Sequence, residues 1–123
     1  MDGITRTTDE SGIEEGLKYD EDKQDWYAMP LEVLEPLAQV YLAGENKYET
    51  FNCLKPFKDW KRRFWSGMMR HARRCQLNPL AIDQELMDKY GVKVYHQAQI
   101  AFNALHRLHS ALQEEKKNGG TIQ

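Results

Sequence analysis

Residues 57–75, FKDWKRRFWSGMMRHARRC, constrain the fold more than any other stretch of the chain. At about 100° per residue around a helix, Phe57, Trp60, Phe64, Gly67, Met68, His71 and Cys75 fall on one stripe. That spacing predicts an amphipathic helix that buries aromatic mass, and the rest of the chain must supply the surface it packs against. Arg63, Arg70 and Arg74 run along one edge of the stripe. Guanidinium groups beside a buried face can wall an anionic pocket. The plain alternative is a core helix whose arginines snorkel over apolar neighbours into water. His71 lies inside the stripe beside Arg70, where burial and positive charge both favour the neutral imidazole.

The remaining segments are also helical in period. Pro30 is placed to open a helix, with Leu31, Leu34, Leu37, Ala38, Tyr41 and Leu42 on one broad face. Pro36 requires either a start near Val33 or a kink, and Gly44 is a natural stop. Asn78-Pro79 resembles a cap followed by a first-turn proline, opening a short helix to about Tyr90 with Gly91 after it. The last helix is predicted from about Val94 to Lys116, with Val94, Ala98, Ala101, Phe102, Leu105, Leu108 and Leu112 as its apolar stripe. His96, Gln99, Asn103, Arg107 and Ser110 take its opposite face. The expected fold is an all-α bundle of about four helices in one domain over residues 16–113. Residues 1–15 are expected to form a flexible arm and 114–123 a flexible tail. Residues 16–30 mix charge and aromatics ahead of a proline, the pattern of an ordered loop segment or a short hairpin.

Composition narrows the function classes. Hydrophobic content of 41% with 11% aromatics is that of a folded chain. A net charge of −2 gives no global field for nucleic acid or an anionic membrane. The positive charge gathered over residues 55–74 suits a small anionic ligand better than a duplex. Cys53 and Cys75 are too few for a disulfide scaffold or a closed zinc site. With no apolar run near the roughly 20 residues of a membrane span and no signal-like start, a cytoplasmic protein is expected.

Several groups could carry chemistry. Glu32 and Glu35, one helical turn apart, could hold Mg²⁺ or Mn²⁺. A second pair, Glu85 and Asp88, has the same shape, and together they resemble the E-x-x-E … E-x-x-D pattern of MazG-like all-α nucleoside triphosphate pyrophosphohydrolases. Charged residues three apart on a helix are most often a solvated face. His96, Gln99 and Asn103 share a helix face that could read a base or ribose. Of His106 and His109, the second faces the apolar stripe and is expected in the core. No Walker-type or G-x-G-x-x-G loop is present, and no nucleophile has a base beside it in sequence.

Several motifs in order resemble one family. Gly16, Lys18, Asp20 and Lys23 fit G-x-K-x-D-x-G-K, with Asp22 in place of its glycine. Pro30 precedes the first helix, Gly44, Lys47 and Tyr48 fit G-x-x-K-Y, and Arg70-His71 fits R-H. His96 and Asn103 fit H-x-x-H-x-x-x-N, with Gln99 replacing the second histidine. This series is similar to the N-terminal domain of dATP/dGTP diphosphohydrolases, a small family common in bacteriophages. The acidic G-E-x-x-D segment of that family has no counterpart; Gln76-Leu77-Asn78-Pro79 and Asp83 stand there.

The resemblance implies a phosphorylated nucleotide as ligand. Lys18, Lys23, Lys47, Arg63 and Arg70 would face phosphates, Trp26 or Tyr48 would stack on the base, and His71, His96 and Asn103 would hydrogen-bond, with Asp20 completing the first motif. The protein would either hydrolyse (d)NTPs to monophosphate and pyrophosphate with Mg²⁺ or Mn²⁺ on Glu32 and Glu35, or sequester a nucleotide, including one that signals host defence. The alternative class is a helical module docking a host or viral protein. Trp65, Met69 and Ala72 leave a second apolar flank on the central helix, and a homo-oligomer is expected to cover it.

Overall fold

A computed structural model describes residues 16–19, 21–49 and 51–119, together with the backbone of Ile4–Thr5. The chain divides into two compact units, residues 1–31 and 32–123. In the first unit, β1 (Ile4–Thr5) and β2 (Lys18–Tyr19) pair antiparallel, Ile4 opposite Tyr19 and Thr5 opposite Lys18. A 3-10 turn follows at Trp26–Ala28, capped by Asp25 Oδ1, which accepts from Tyr27 N at 3.1 Å. The predicted mobility of residues 1–15 falls outside the described residues, apart from that ribbon backbone.

The second unit is all-α. After a 3-10 turn at Leu31–Val33 come α1 (Leu34–Lys47), α2 (Trp60–Cys75), α3 (Gln84–Tyr90) and α4 (His96–Lys117). Pro36 lies in the first turn of α1, where its missing N–H would have no intrahelical partner in any case, so the helix starts late and needs no kink. Gly44 does not stop α1, which runs on to Lys47; the Tyr48 N–H closes it on Gly44 O at 2.7 Å. Asn78-Pro79 does not open α3 either. Asn78 Oδ1 accepts from Leu80 N in a local turn, and the true cap is Asp83, whose Oδ1 accepts from Leu86 N. Gly91 ends α3 in the left-handed region at φ 67°, as its lack of a Cβ permits.

α2 lies along α4, the most extensive packing in the unit. The inward face of α2 is the expected stripe: Gly67 and Cys75 are buried and Trp60, Phe64, Met68 and His71 partly so. α1 and α4 depart from expectation. The core is Val40 and Ala43 of α1 with Val92 and Val94 of the α3–α4 link, flanked by Leu86, Tyr90, Ala98 and Phe102. Val94 precedes α4 and lies outside the helix. The side-chain alternation of residues 92–95, inward at Val92 and Val94, is that of a strand, and Tyr95 makes an antiparallel bridge with Ile82.

On α4 the expected apolar stripe holds only at the N-terminal end, where Ala98 and Phe102 pack against the core. His96, Gln99 and His106 are buried, whereas Leu105, Leu108 and Leu112 are exposed. Leu31, Leu34 and Leu42 are likewise exposed beside α1 and on it. Packing α4 against α2 selects the face that can reach His71 and the Gly67 backbone, and that face is the polar one. The core histidine is accordingly His106, 4% exposed, and not His109. His106 shares a 2.8 Å hydrogen bond with Tyr41 and stacks on Phe102. Among the described residues no helix is long and apolar enough to cross a membrane.

Candidate functional site

The polar face of α4 opens onto a cavity of about 740 Å³ within the helical unit. α1 contributes Lys47 and Tyr48, α2 contributes Arg63, Arg70 and His71, and α4 contributes Gln99 and Asn103. Asp83 and Glu85, at the start of α3, are also on the lining. α2 and α4 approach closely at Gly67, which has no side chain there. A Cβ built there would stand 2.6 Å from Asn103 Oδ1, well inside van der Waals contact. Asn103 is held by its own helix, its Nδ2 donating to Gln99 O at 2.8 Å.

The lining carries both charges, with Lys47, Arg63 and Arg70 among the carboxylates Glu45, Glu49, Asp83 and Glu85. Arg63 packs its guanidinium 5.7 Å from the Phe57 ring centre, and Arg70 Nη1 donates to Ser66 Oγ at 3.0 Å. Among the described residues neither arginine pairs with a carboxylate; the ion pairs there are Lys55–Glu49, Arg62–Asp59 and Lys89–Glu85. Lys47 lies over the Tyr48 ring at 5.4 Å.

At the cavity wall, three elements converge. His71 Nδ1 and His96 Nδ1 are 3.0 Å apart, with rings tilted at 31°. Asp83 stands with them, one ligand atom from each of the three lying within 4.8 Å of the others. The Ile82–Tyr95 bridge sets this convergence, because Asp83 N donates to Val94 O and His96 N to Ala81 O on either side of it. Gln99 Nε2 donates to Asp83 Oδ2 at 3.0 Å, leaving the buried Gln99 Oε1 without a partner among the described residues.

Charge in this group follows from its surroundings. Burial, reinforced by His96, Arg70 and Arg74 and opposed by Asp83, brings the His71 pKa down to about 4, so the ring is neutral at pH 7. Burial alone would raise the Asp83 carboxyl. Hydrogen bonds from Gln99 and the Leu86 N–H, with the two histidines, outweigh it and hold the group below its ordinary value. The result is a carboxylate beside two imidazoles, one of them held neutral.

Of the residues singled out in the sequence, Lys47, Tyr48, Arg63, Arg70, His71 and Asn103 line the cavity, and His96 is buried against His71. Lys18, Lys23 and Trp26 are exposed residues of the N-terminal unit, and Asp20 lies outside the described residues. Glu32 and Glu35 are exposed at the start of α1 and are not part of the lining. Glu85 reaches the lining, while Asp88 accepts from Gln84 Nε2 at 2.8 Å. Asp83 was not anticipated. The signal for it was the D-x-x-L spacing of a helix cap, three residues before the Leu86 N–H it accepts from.

These features define an all-α unit with a cavity lined by groups of both charges and a His–Asp–His group at its wall. The chain belongs to the dATP/dGTP diphosphohydrolase N-terminal family, whose model matches residues 13–119. Comparison with curated proteins and with solved structures gave no match.

Proposed function

We propose that the cavity binds a phosphorylated nucleotide. The observation that carries this is the pair Arg63 and Arg70, two guanidinium groups without carboxylate partners among the described residues, at the edge of a cavity of about 740 Å³. Ligand pockets of roughly 300–1,000 Å³ take molecules of this size, and charge-assisted bonds to phosphate are roughly twice as strong as neutral ones. Lys47 adds a third cation, Tyr48 a ring for the base, and Asn103 with His71 the donors and acceptors for base or sugar. Family membership supports nucleotide chemistry in general terms.

Two forms of this function differ in outcome. In one, the domain is a (d)NTP pyrophosphohydrolase: water attacks the α-phosphorus, pyrophosphate leaves, and Mg²⁺ or Mn²⁺ accompanies the triphosphate. In the other, the protein sequesters a nucleotide without turnover, including a signalling nucleotide of host defence if the protein is phage-encoded. Incubating the protein with a (d)NTP panel and Mg²⁺ or Mn²⁺, then separating products by chromatography, distinguishes them. Calorimetry on the same panel tests both at once, because absence of binding at millimolar nucleotide removes the function altogether.

A second property has its own support. Trp65 and Met69 are 52% and 56% exposed, and Leu105, Leu108 and Leu112 are exposed along α4. Exposed apolar surface on this scale in a small domain favours a second copy of the chain as its cover. Sedimentation at micromolar concentration should show an oligomer that Leu108→Glu dissociates; a monomeric wild type would refute it.

A further inference from the structure

We propose that His71, Asp83 and His96 form a binding site for one divalent transition-metal ion of the Zn²⁺ or Co²⁺ type. The site does not depend on the nucleotide proposal, since the metal alone is its ligand. Neither the family description nor the sequence motifs assign it.

The geometry is that of a three-ligand set. Two nitrogens each about 2.1 Å from one ion stand about 3.0–3.4 Å apart at bond angles of about 90–110°, and the two Nδ1 atoms are 3.0 Å apart. The third ligand atom comes from Asp83, within the same 4.8 Å group. A hydrogen bond between the two rings would explain their approach. It would not explain why a carboxylate joins them from a third element.

Asp83 is held for the purpose by Gln99 Nε2 at 3.0 Å and Leu86 N at 3.2 Å. Each carboxylate oxygen has capacity beyond one bond, so those contacts orient the group without consuming it, as outer contacts do at metal sites. The backbone bonds Asp83 N to Val94 O and His96 N to Ala81 O fix two ligands relative to each other before any metal arrives.

Donor chemistry selects the metal. Two imidazoles and one carboxylate suit Zn²⁺, Co²⁺ and their neighbours, whereas Mg²⁺ prefers carboxylate and water oxygen. Three protein ligands leave a coordination position open. His71 and Asp83 both line the cavity that Arg63 and Arg70 also line, so an ion held by them would lie at its wall. A divalent ion with a single carboxylate keeps a net positive charge, and the open position would take an anionic oxygen.

The test uses the full chain, stripped with chelator and titrated with Co²⁺ and Zn²⁺ alone. One Co²⁺ per chain with visible d–d absorption of a nitrogen–oxygen site is expected, displaced by Zn²⁺. His71→Gln and Asp83→Asn should each weaken binding at least 100-fold while circular dichroism remains helical. Gln99→Leu should weaken it about 10–100-fold, the usual effect of losing an outer contact. The paired variant Glu32→Gln/Glu35→Gln should bind as wild type. If Asp83→Asn fails to fold, His71→Gln decides, since its ring is only partly buried. Folded wild type that binds no Co²⁺, or binding undiminished in His71→Gln, would overturn the site. Binding lost only in the Glu32/Glu35 variant would do the same and would move the ion to α1.

Discussion

The close approach of α2 and α4 at Gly67 makes a quantitative prediction. Replacing Gly by Ala inside a helix stabilises by about 0.8–1.0 kcal/mol. Gly44 measures that gain on this chain, because a Cβ built there meets nothing within 4 Å. Gly44→Ala should therefore raise stability by about 0.5–1 kcal/mol and the melting temperature by a few degrees. At Gly67 the same methyl would lie 2.6 Å from Asn103 Oδ1, so the amide must turn away and lose its 2.8 Å bond to Gln99 O. A lost neutral hydrogen bond costs about 0.5–1.5 kcal/mol. The two effects nearly cancel, and Gly67→Ala should unfold within about 1 kcal/mol of wild type. The cancellation is exposed by a double-mutant cycle in urea. With Asn103→Ala as background, Gly67→Ala should recover its full helix gain, giving a coupling of about 0.5–1.5 kcal/mol. Independent sites add within about 0.3–0.5 kcal/mol. Coupling below that range, or a Gly67→Ala variant as stabilised as Gly44→Ala, would refute the close contact as the reason for glycine.

Further outcomes follow from single contacts. Arg70→Ala should weaken nucleotide binding by about 1.5–3 kcal/mol, the value of one hydrogen bond to a charged group, read by calorimetry; unchanged affinity would remove Arg70 from the site. Burial, with His109 beside it, lowers the His106 pKa below its usual 6.5 despite an opposing backbone contact at Cys53. The unfolded chain then binds that proton more readily, so the stability is complete above about pH 6.5 and declines as pH falls below it. Denaturation at pH 7.5 and 5 should show the loss, and His106→Gln should show less of it. Asp83→Ala removes the α3 cap, at about 0.5–2 kcal/mol, and leaves buried Gln99 Nε2 unpaired, whereas Asp83→Asn keeps the cap; urea midpoints should rank them in that order.

The helical architecture was legible because α2 carries a long, unambiguous period, and its stripe is the face the chain buries. α4 misled because periodicity ranks faces by hydrophobicity, whereas His96, Gln99 and His106 are buried in hydrogen bonds to His71, Asp83 and Tyr41. Leu105 and Leu108 are exposed among the described residues. Arg63 and Arg70 were legible on one edge of α2 and His71 inside its stripe, but Asp83 was not singled out. Its place beside His71 and His96 depends on the Ile82–Tyr95 pairing, which joins residues on either side of a helix and leaves only the brief alternation of Val92-Lys93-Val94-Tyr95 as a trace.

That single bridge also makes α3 a modular excursion. Residues 83–94 leave and return through a fixed base, with the backbone bonds of Asp83 and His96 setting the register there. Gln84, Glu85, Asp88 and Lys89 all face outward from it, and Glu85 reaches the mouth of the cavity. The outer face of this excursion can therefore be rewritten, changing what the cavity admits, while the group at its base keeps its spacing.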